Sequence, residues 1–299
     1  MTSPPEVSVV VPAHNRADLL PGAVRSVLGQ EGVELELIVV DDASTDDTPR
    51  VLESFGDAIR VVRPERNVER GAARNLGARQ AKAPILAFLD SDDEWRPGKL
   101  AAQLPLARAG SASVTGLDFV GPGGRVLRTC AGELVGAPAR VLLSNPVLGG
   151  ASSLVIPRAT FEAVGGYPEG WSVQGSEDWV LLVRLHRAGA PVEVIPAPLV
   201  RYLVHDANST ADPERFAVSM WSAVDLMERE GHVAGPGLAR LRGRTAAVIA
   251  RGFAAARRWD EAASWTRIAA RQGSRREAAR ALALVPVSGA RSLLRRAGV

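Results

Sequence analysis

Cysteine is nearly absent from this sequence, which has Cys130 as its only cysteine in 299 residues. This excludes an intrachain disulfide and any metal site built from cysteines, and it suits a reducing compartment. No stretch approaches the roughly 20 apolar residues that are needed to cross a bilayer. The first residues also lack the basic start and long apolar run of a signal peptide. We therefore expect a cytoplasmic protein.

Acidic residues are scarce at the other end of the chain. From residue 235 onward there are 14 Arg and three acidic residues, a net charge of +11 against +3 for the whole chain, which leaves −8 for residues 1–234. Basic segments bind nucleic acids or anionic membranes in some proteins. This one has no Lys and no aromatic residues interleaved as in nucleic-acid modules, so we expect no nucleic-acid partner. A solvated helical face is favoured, with peripheral contact to the inner membrane face as the alternative.

Hydrophobic residues make up 46% of the chain and charged residues 23%, which is enough apolar material for a sizeable core. The length allows one large α/β domain with an appendage, or two modest domains. Short apolar segments alternate with amphipathic ones, and the predicted strands are 7–11, 35–40, 59–62 and 85–89. This alternation predicts a parallel, doubly wound sheet with right-handed crossovers.

Two of these strands end in carboxylates. Asp42 follows the second strand, and Asp90, Asp92 and Asp93 follow the fourth. In a parallel sheet both groups lie at the edge where ligands bind, so they can address one ligand. Two carboxylates about 5 Å apart repel by roughly 3 kcal/mol at an effective dielectric constant near 20, which favours a divalent cation that carries a phosphorylated ligand. The alternative is an acidic turn that caps the helix beginning near Pro97.

Three further positions have both a functional and a structural interpretation. Arg74, in the first turn of a helix, can meet a phosphate or an acid, or it can be a surface residue. Glu177 and Asp178 follow Ser176 at a helix start, where a carboxylate can act as a general base or simply complement the helix dipole. His205 lies in a polar loop, where local reasoning favours a solvated side chain over a ligand.

The rest of the chain predicts a mixed region and then helices. Residues 112–120 and 125–129 read as a hairpin, 152–156 as a strand, and 196–202 as the last strand. A helix follows from residue 213 to about 230. The stretch 249–270 is similar to one tetratricopeptide-type helix pair, although arrays of that type need about three units. The final segment, 287–299, is interpreted as a plain helix.

Together these motifs resemble the family 2 glycosyltransferases with the GT-A fold. The segments that carry the resemblance, over residues 7–210, are VSVVVPAHNR, IVVDDASTDDT, NVERGAARNLGA, ILAFLDSDDEWRP, GGYPEG, GSEDWVLLVRL and YLVHDANST. The resemblance implies a Rossmann-like α/β domain, a mostly parallel mixed sheet sandwiched by helices, here with an all-helical C-terminal extension. It also implies a nucleotide-sugar donor, usually linked to UDP, a divalent cation (Mn²⁺ or Mg²⁺), and inversion at the anomeric carbon.

The resemblance assigns roles by position. Asp178 matches the catalytic base, with Glu177 beside it, and His205 matches a residue near the metal and diphosphate. The nucleotide-binding positions are Pro12, Ala13, Asn15, Asp42, Arg74, Ser91 and Asp92, and the metal-binding positions are Asp90, Asp92, Asp93 and His205. A processive synthase is not expected, because no QxxRW-like motif follows Asp178.

We expect a glycosyltransferase domain over residues 1–212, with a nucleotide-sugar half to about 110 and an acceptor half from 111, and a helical, Arg-rich region over 213–299. The acceptor stays open among saccharide, lipid-linked, peptide and small-molecule nucleophiles, and a homodimer is allowed. Two alternatives remain. One is a non-catalytic protein that binds nucleotide-sugars or scaffolds a partner, and the other is an aspartyl phosphotransferase that uses Asp90 and Asp92.

Overall fold

A computed structural model describes residues 4–131, 150–205 and 212–272 of the chain. These residues fall into two compact units: 4–131 with 150–205, and 212–272. The predicted domain boundary at residue 212 stays a prediction, because residues 206–211 lie outside the described part. None of the described helices is both long and apolar enough to cross a membrane.

The first unit is built on a nine-stranded sheet. Its first half contains β1 (Val7–Ala13), β2 (Leu35–Asp41), β3 (Arg60–Val62) and β4 (Ile85–Phe88). These strands are all parallel in the order β3-β2-β1-β4. The prediction of a doubly wound parallel half is therefore confirmed. Strands β1 and β4 are buried along their whole length, which explains why their residues are apolar apart from Ser8.

The second half of the sheet is mixed. It contains β5 (Asp93–Trp95), β6 (Ala112–Val120), β7 (Val126–Cys130), β8 (Val155–Pro157) and β9 (Val192–Leu203). From β4 the order continues β8-β6-β9-β5, with β7 paired to β6. β8 is antiparallel to β4 and β6, β9 is parallel to β6, and β5 is antiparallel to β9. The predicted hairpin is the antiparallel pair β6 and β7.

Helices cover the sheet. They are α1 (Leu20–Leu28), α2 (Thr48–Glu53), α3 (Arg70–Gln80), α4 (Lys99–Arg108), α5 (Arg158–Ala163) and α6 (Glu177–Arg187). Helix α3 packs closely on the sheet, because a Cβ at Gly77 would lie 2.4 Å from a methyl group of Val10 on β1. This close approach is only possible without a side chain at that position. It holds the first turn of α3 beside the carboxyl ends of the strands.

Some predicted features were wrong in detail. The segment 93–95 is a short strand, although it read as part of a turn, and the strand expected from residue 152 begins only at Val155 after a 3₁₀ turn. Helix α4 begins at Lys99 and has Gly98 at its N-cap, with no side-chain cap and no acid in its first turn. The acidic turn therefore does not cap this helix, and that alternative interpretation of Asp90, Asp92 and Asp93 is wrong.

The second unit is helical, as predicted. It contains α7 (Pro213–Arg229), α8 (Gly235–Ala255) and α9 (Trp259–Gln272). Trp221 and Trp265 pack edge to face with centroids 5.2 Å apart. Arg242 contacts Asp225 at 3.0 Å, so part of the positive charge is paired within the unit. The segment 287–299, expected to be a plain helix, lies outside the described residues.

Candidate active site

The ends of β1 and β2 form one wall of a candidate site. Asp42 donates its backbone N–H to the carbonyl of Ala13 at 2.7 Å, and its carboxylate accepts the N–H of Val68 at 2.7 Å. The side chain of Asp42 is buried, and this burial raises the pKa of its carboxyl group. Asn15 has a left-handed backbone (φ 52°), and its side-chain oxygen accepts the N–H of Thr45 at 2.8 Å. The predicted nucleotide-binding residues of these two strands therefore do lie together, and Pro12 pairs with β2 beside them.

The three acids after β4 form the second wall. Ligand oxygens of Asp90, Asp92 and Asp93 all lie within 4.8 Å of one another. Asp93 is buried, and its two oxygens accept the Ser152 hydroxyl at 2.6 Å and the N–H of Leu203 at 3.2 Å. Ser91 between them is buried as well. Because β5 begins at Asp93 and pairs with β9, strand pairing holds the acidic turn in addition to the hydrogen bond from Ser152.

His205 lies at the same place. Its Nε2 atom is 3.1 Å from Oδ2 of Asp92, so the residues predicted at the metal position are brought together. A set of carboxylate oxygens with one imidazole fits Mn²⁺ or Mg²⁺ better than it fits a soft metal. The donor chemistry of the site is thus compatible with the predicted divalent cation.

Arg74 contacts an acid of the acidic turn, which is one of the roles predicted from its position in the first turn of a helix. Its side chain is fully buried, donates to Oε1 of Glu177 at 2.8 Å, and donates to the carboxylate of Asp90. The neighbouring carboxylates outweigh burial and raise the pKa of Arg74, so it stays charged. Arg74 therefore bridges the acidic turn and the start of α6. Its assignment as a nucleotide ligand stays a prediction. The alternative that Arg74 is a surface residue is wrong, because its side chain is fully buried.

Glu177 and Asp178 are adjacent in sequence but differ in environment. Glu177 is buried, and its two oxygens accept Arg74 and the N–H of Gly175. Oδ1 of Asp178 is inaccessible to solvent and has no hydrogen-bond partner among the described residues. Burial is the main cause that raises the pKa of Asp178 from 3.8 to about 7; Arg74 opposes the rise and Glu177 adds to it. Of the two carboxylates, Asp178 has the environment of a general base.

Asp178 lines a small pocket with mainly apolar walls. The other lining residues are Val114, Gly150, Leu154, Tyr167, Leu181 and Leu182. A Cβ at Gly150 would lie 2.9 Å from Oδ2 of Asp178, so the loop backbone passes directly against this carboxylate. The pocket thus places apolar side chains beside Asp178.

Helix α3 also holds the loop that precedes α6. Asn75 donates to the carbonyl of Tyr167 at 2.9 Å and accepts the N–H of the same residue at 3.0 Å. Glu69, at the N-cap of α3, accepts the N–H groups of Gly71 and Ala72 at 3.1 and 2.9 Å. The motifs that begin α3 and precede α6, which are about 90 residues apart in sequence, form one rigid support for Arg74 and Asp178.

Sequence reasoning missed several residues of this site. Ser152 orders the acidic turn, and Arg16 and Arg70 face the acids at 3.6 and 3.9 Å from the nearest carboxylate oxygen of Asp92 and Glu177. Arg70 directly precedes Gly71, and Arg16 ends the first motif. Their position next to recognised motifs was the only signal in the sequence.

A family model described as "Glycosyl transferase family 2" matches residues 8–129. This part of the chain therefore matches glycosyl transferase family 2, and the sheet with its helices is the GT-A fold. The predicted family and fold class are therefore confirmed. The match includes the Asp42 wall, the acidic turn and Arg74, whereas Asp178 and His205 lie beyond it.

Several curated relatives match part of the chain. Succinoglycan biosynthesis protein ExoO of Rhizobium meliloti is 42% identical over 127 residues, which is 42% of this chain and 36% of that protein. The putative teichuronic acid biosynthesis glycosyltransferase TuaG of Bacillus subtilis is 38% identical over 128 residues, 41% of this chain and 51% of that protein. The Escherichia coli UDP-Glc:alpha-D-GlcNAc-diphosphoundecaprenol beta-1,3-glucosyltransferase WfaP is 38% identical over 100 residues, 33% of this chain and 39% of that protein. The matches thus span between about a third and a half of these relatives.

Solved structures match almost the whole chain. Residues 1–349 of S. aureus TarS, in complex with UDP-GlcNAc, align with a TM-score of 0.65 and 18% identity over 98% of this chain and 89% of that one. Mannosyltransferase PcManGT from Pyrobaculum calidifontis, in complex with GDP-Man and Mn²⁺, aligns with a TM-score of 0.63 and 22% identity over 99% and 87%. At these identities the likeness concerns the fold.

Proposed function

We propose that this protein is an inverting, metal-dependent glycosyltransferase that moves a sugar from a nucleoside-diphosphate sugar to an acceptor hydroxyl. The observation that carries the proposal is the environment of Asp178. Its Oδ1 atom is buried without a partner among the described residues, its pKa is raised to about 7, and Arg74 and Glu177 connect it to the acidic turn. A carboxylate with such a pKa is suited to accept a proton near neutral pH.

In the proposed reaction, the acceptor oxygen attacks the anomeric carbon from the face opposite the diphosphate. The new carbon–oxygen bond forms as the bond to the diphosphate oxygen breaks, and the diphosphate leaves with the electron pair. Asp178 takes the proton of the acceptor hydroxyl. Because this is a single displacement, the configuration inverts and no covalent intermediate with the enzyme is required.

The remaining site residues fit the donor half. Asp42, Asn15 and the backbone at Pro12 and Ala13 would line the base and ribose. Asp90, Asp92, Asp93 and His205 would hold a divalent cation, which, when bound, stabilises negative charge on the leaving diphosphate. Although burial opposes it, Arg74 lowers the pKa of Asp90, and it holds the carboxylates of Asp90 and Glu177 in place through its hydrogen bonds. In this proposal Glu177 orders Arg74, and Asp178 alone removes the proton.

The donor and acceptor are proposed from the names of similar proteins. WfaP is named as using UDP-Glc and a diphosphoundecaprenol-linked sugar, and the TarS structure contains UDP-GlcNAc. We therefore infer a UDP-sugar as donor and a lipid-linked saccharide as the first acceptor to test. A lipid-linked acceptor would bring the protein to the membrane surface, as the sequence allows through its Arg-rich end.

A thermal-shift screen tests the donor half. UDP, GDP, ADP, CDP and the corresponding nucleotide-sugars are compared with and without Mn²⁺, because a ligand that binds the native state raises its apparent stability. We expect the largest rise with UDP or a UDP-sugar plus Mn²⁺. The absence of a shift with every nucleotide would contradict the proposal.

Transfer of labelled sugar to a lipid-linked acceptor tests the catalytic half. The Asp178→Asn variant should keep the donor-induced thermal shift but lose transfer by at least about 100-fold, since general-base catalysis contributes about 10² to 10⁴. Full turnover in that variant would show that Asp178 is not the general base. Donor binding without turnover by the native protein, with any acceptor, would favour the non-catalytic alternative.

A further inference from the structure

Two arginines of the site are placed to bind an anion but are not held by the carboxylates that they face. They are Arg16, in the loop after β1, and Arg70, the first residue of α3. We propose that Arg16 and Arg70 form a clamp on the diphosphate of the donor. The inference rests on the proposed function and adds two positioning residues to it.

Arg70 points from the start of α3 toward the acids. Its Nε atom is 3.9 Å from Oε1 of Glu177, and its side chain is 29% exposed. Burial would lower the pKa of Arg70, but the carboxylates of Glu177 and Asp90 outweigh burial and leave it raised. The guanidinium therefore carries its charge into the space between the acidic turn and α6.

Arg16 approaches the acidic turn from the β1 side. Its backbone N–H donates to the hydroxyl of Thr48 at 2.9 Å, which fixes the loop. Its Nη2 atom is 3.6 Å from Oδ2 of Asp92, and the side chain is 25% exposed. Asp92 is also the carboxylate that His205 contacts, so Arg16 lies beside the proposed metal position.

Arg16 and Arg70 lie farther from their acids than the arginines in the close ion pairs of the first unit. Arg50 and Arg79 also lie 3.8 and 3.9 Å from theirs, but on exposed helix surfaces, whereas Arg16 and Arg70 face the acids of the site. Arg63 lies 2.5 Å from Asp41, Arg201 lies 2.6 Å from Glu94, and Arg74 lies 2.8 Å from Glu177. Charge-assisted hydrogen bonds typically measure about 2.7 to 2.9 Å. At 3.6 and 3.9 Å, Arg16 and Arg70 make no such bond to Asp92 or Glu177. The N–H groups of Arg16 and Arg70 that face these acids can therefore donate hydrogen bonds to a bound anion.

The N-terminal N–H groups of α3 do not bind the diphosphate in this proposal. The first N–H groups of a helix are a common phosphate site, but in α3 those of Gly71 and Ala72 donate to the carboxylate of Glu69. That capping carboxylate would also repel a phosphate placed there. A diphosphate next to the acidic turn must therefore find its donors on side chains, and the planar guanidinium group matches phosphate oxygens well.

Binding of nucleotides and nucleosides tests the clamp, because only the nucleotides carry the diphosphate. Titration calorimetry in Mn²⁺ compares UDP with uridine, and GDP with guanosine, on the native chain and on Arg16→Gln and Arg70→Gln. We expect each variant to weaken nucleoside-diphosphate binding by about 10-fold or more, as for a lost charged hydrogen bond. Nucleoside affinity should change by less than about 2-fold.

Matched controls come from the same elements. Arg79→Gln lies on α3 with its side chain 62% exposed, and Arg50→Gln lies on α2 with its side chain 84% exposed. Both should bind UDP or GDP as the native chain does. Arg70→Lys keeps the charge but loses the planar fork, so it should bind with intermediate affinity, and it provides a second variant if Arg70→Gln does not fold.

Two outcomes would overturn the clamp. One is native-like diphosphate affinity in both glutamine variants, and the other is an equal loss for nucleoside and diphosphate, which would indicate a general disturbance of the site. Failure of the proposed donor site appears differently, since the native chain would then bind neither UDP nor GDP, and failure of the proposed catalysis appears only in the transfer assay.

Discussion

The raised pKa of Asp178 predicts that the active-site carboxylate destabilises the fold at neutral and alkaline pH. Its pKa rises from 3.8 to about 7, mainly through burial. The shift corresponds to about 4 kcal/mol, at about 1.4 kcal/mol for each pH unit. Because the native state binds this proton more tightly than the unfolded chain, the contribution to stability is fully present below pH 3.8 and is lost as the pH rises through about 7.

The Asp178→Asn variant removes this titration. The free energy of unfolding of the variant, relative to the native chain, should therefore increase between pH 4 and pH 8 by up to about 4 kcal/mol. Urea unfolding, followed by circular dichroism at several pH values with a chelator present, measures the difference. The exposed substitution Asp57→Asn serves as the control.

Turnover should show the opposite dependence on pH. A general base must be deprotonated, so transfer should rise as the pH increases through about 7. Parallel stability curves for the native chain and Asp178→Asn, from pH 4 to pH 8, would refute the reasoning. They would mean that Asp178 titrates at its ordinary value and that its partnerless oxygen is solvated.

Three further predictions concern the support of the site. Arg74→Leu should lower the free energy of unfolding by about 3 to 5 kcal/mol, because it leaves two carboxylates without their cation; urea unfolding measures this, and Arg79→Leu should stay within about 0.5 kcal/mol of the native chain. Gly150→Ala should reduce transfer but keep UDP binding in calorimetry, since the added methyl group meets Asp178 and φ is 51°; unchanged turnover would contradict the contact. Asp92→Ala should abolish the extra thermal shift that Mn²⁺ gives with nucleotide, whereas a retained Mn²⁺ effect would place the metal elsewhere.

Much of the fold could be predicted because its signals are local. The runs Val7–Ala13 and Ile85–Phe88 are apolar apart from Ser8, since both faces of these strands are covered. The alternation with helices then places Asp42 and the acidic turn at one sheet edge, and the structure does bring both to that edge. Short elements such as Asp93–Trp95 could not be predicted, because three residues have no periodicity and their pairing with β9 decides their conformation.

The candidate site was only partly predictable. The motifs identified Asp178, Asp92 and His205, and the structure places the last two 3.1 Å apart. The contact of Arg74 with an acid of the turn was predicted, but its second partner, Glu177, could not be found, because Glu177 lies 103 residues from it in sequence. The difference between Glu177 and Asp178 was equally hidden, since both lie in the first turn of the same helix and only their burial and partners separate them.

The sequence by itself determined the class of protein and the residue types of its site. Hydrophobic patterning along single elements specifies strands and helices, and strand ends specify where polar residues gather. Only the tertiary structure decided which arginines are held by hydrogen bonds to carboxylates and which can bind a ligand. Arg74 is enclosed between two carboxylates, whereas Arg16 and Arg70 remain at 3.6 and 3.9 Å from theirs. That distinction depends on distances between distant segments and on burial, and no local pattern of residues contains either.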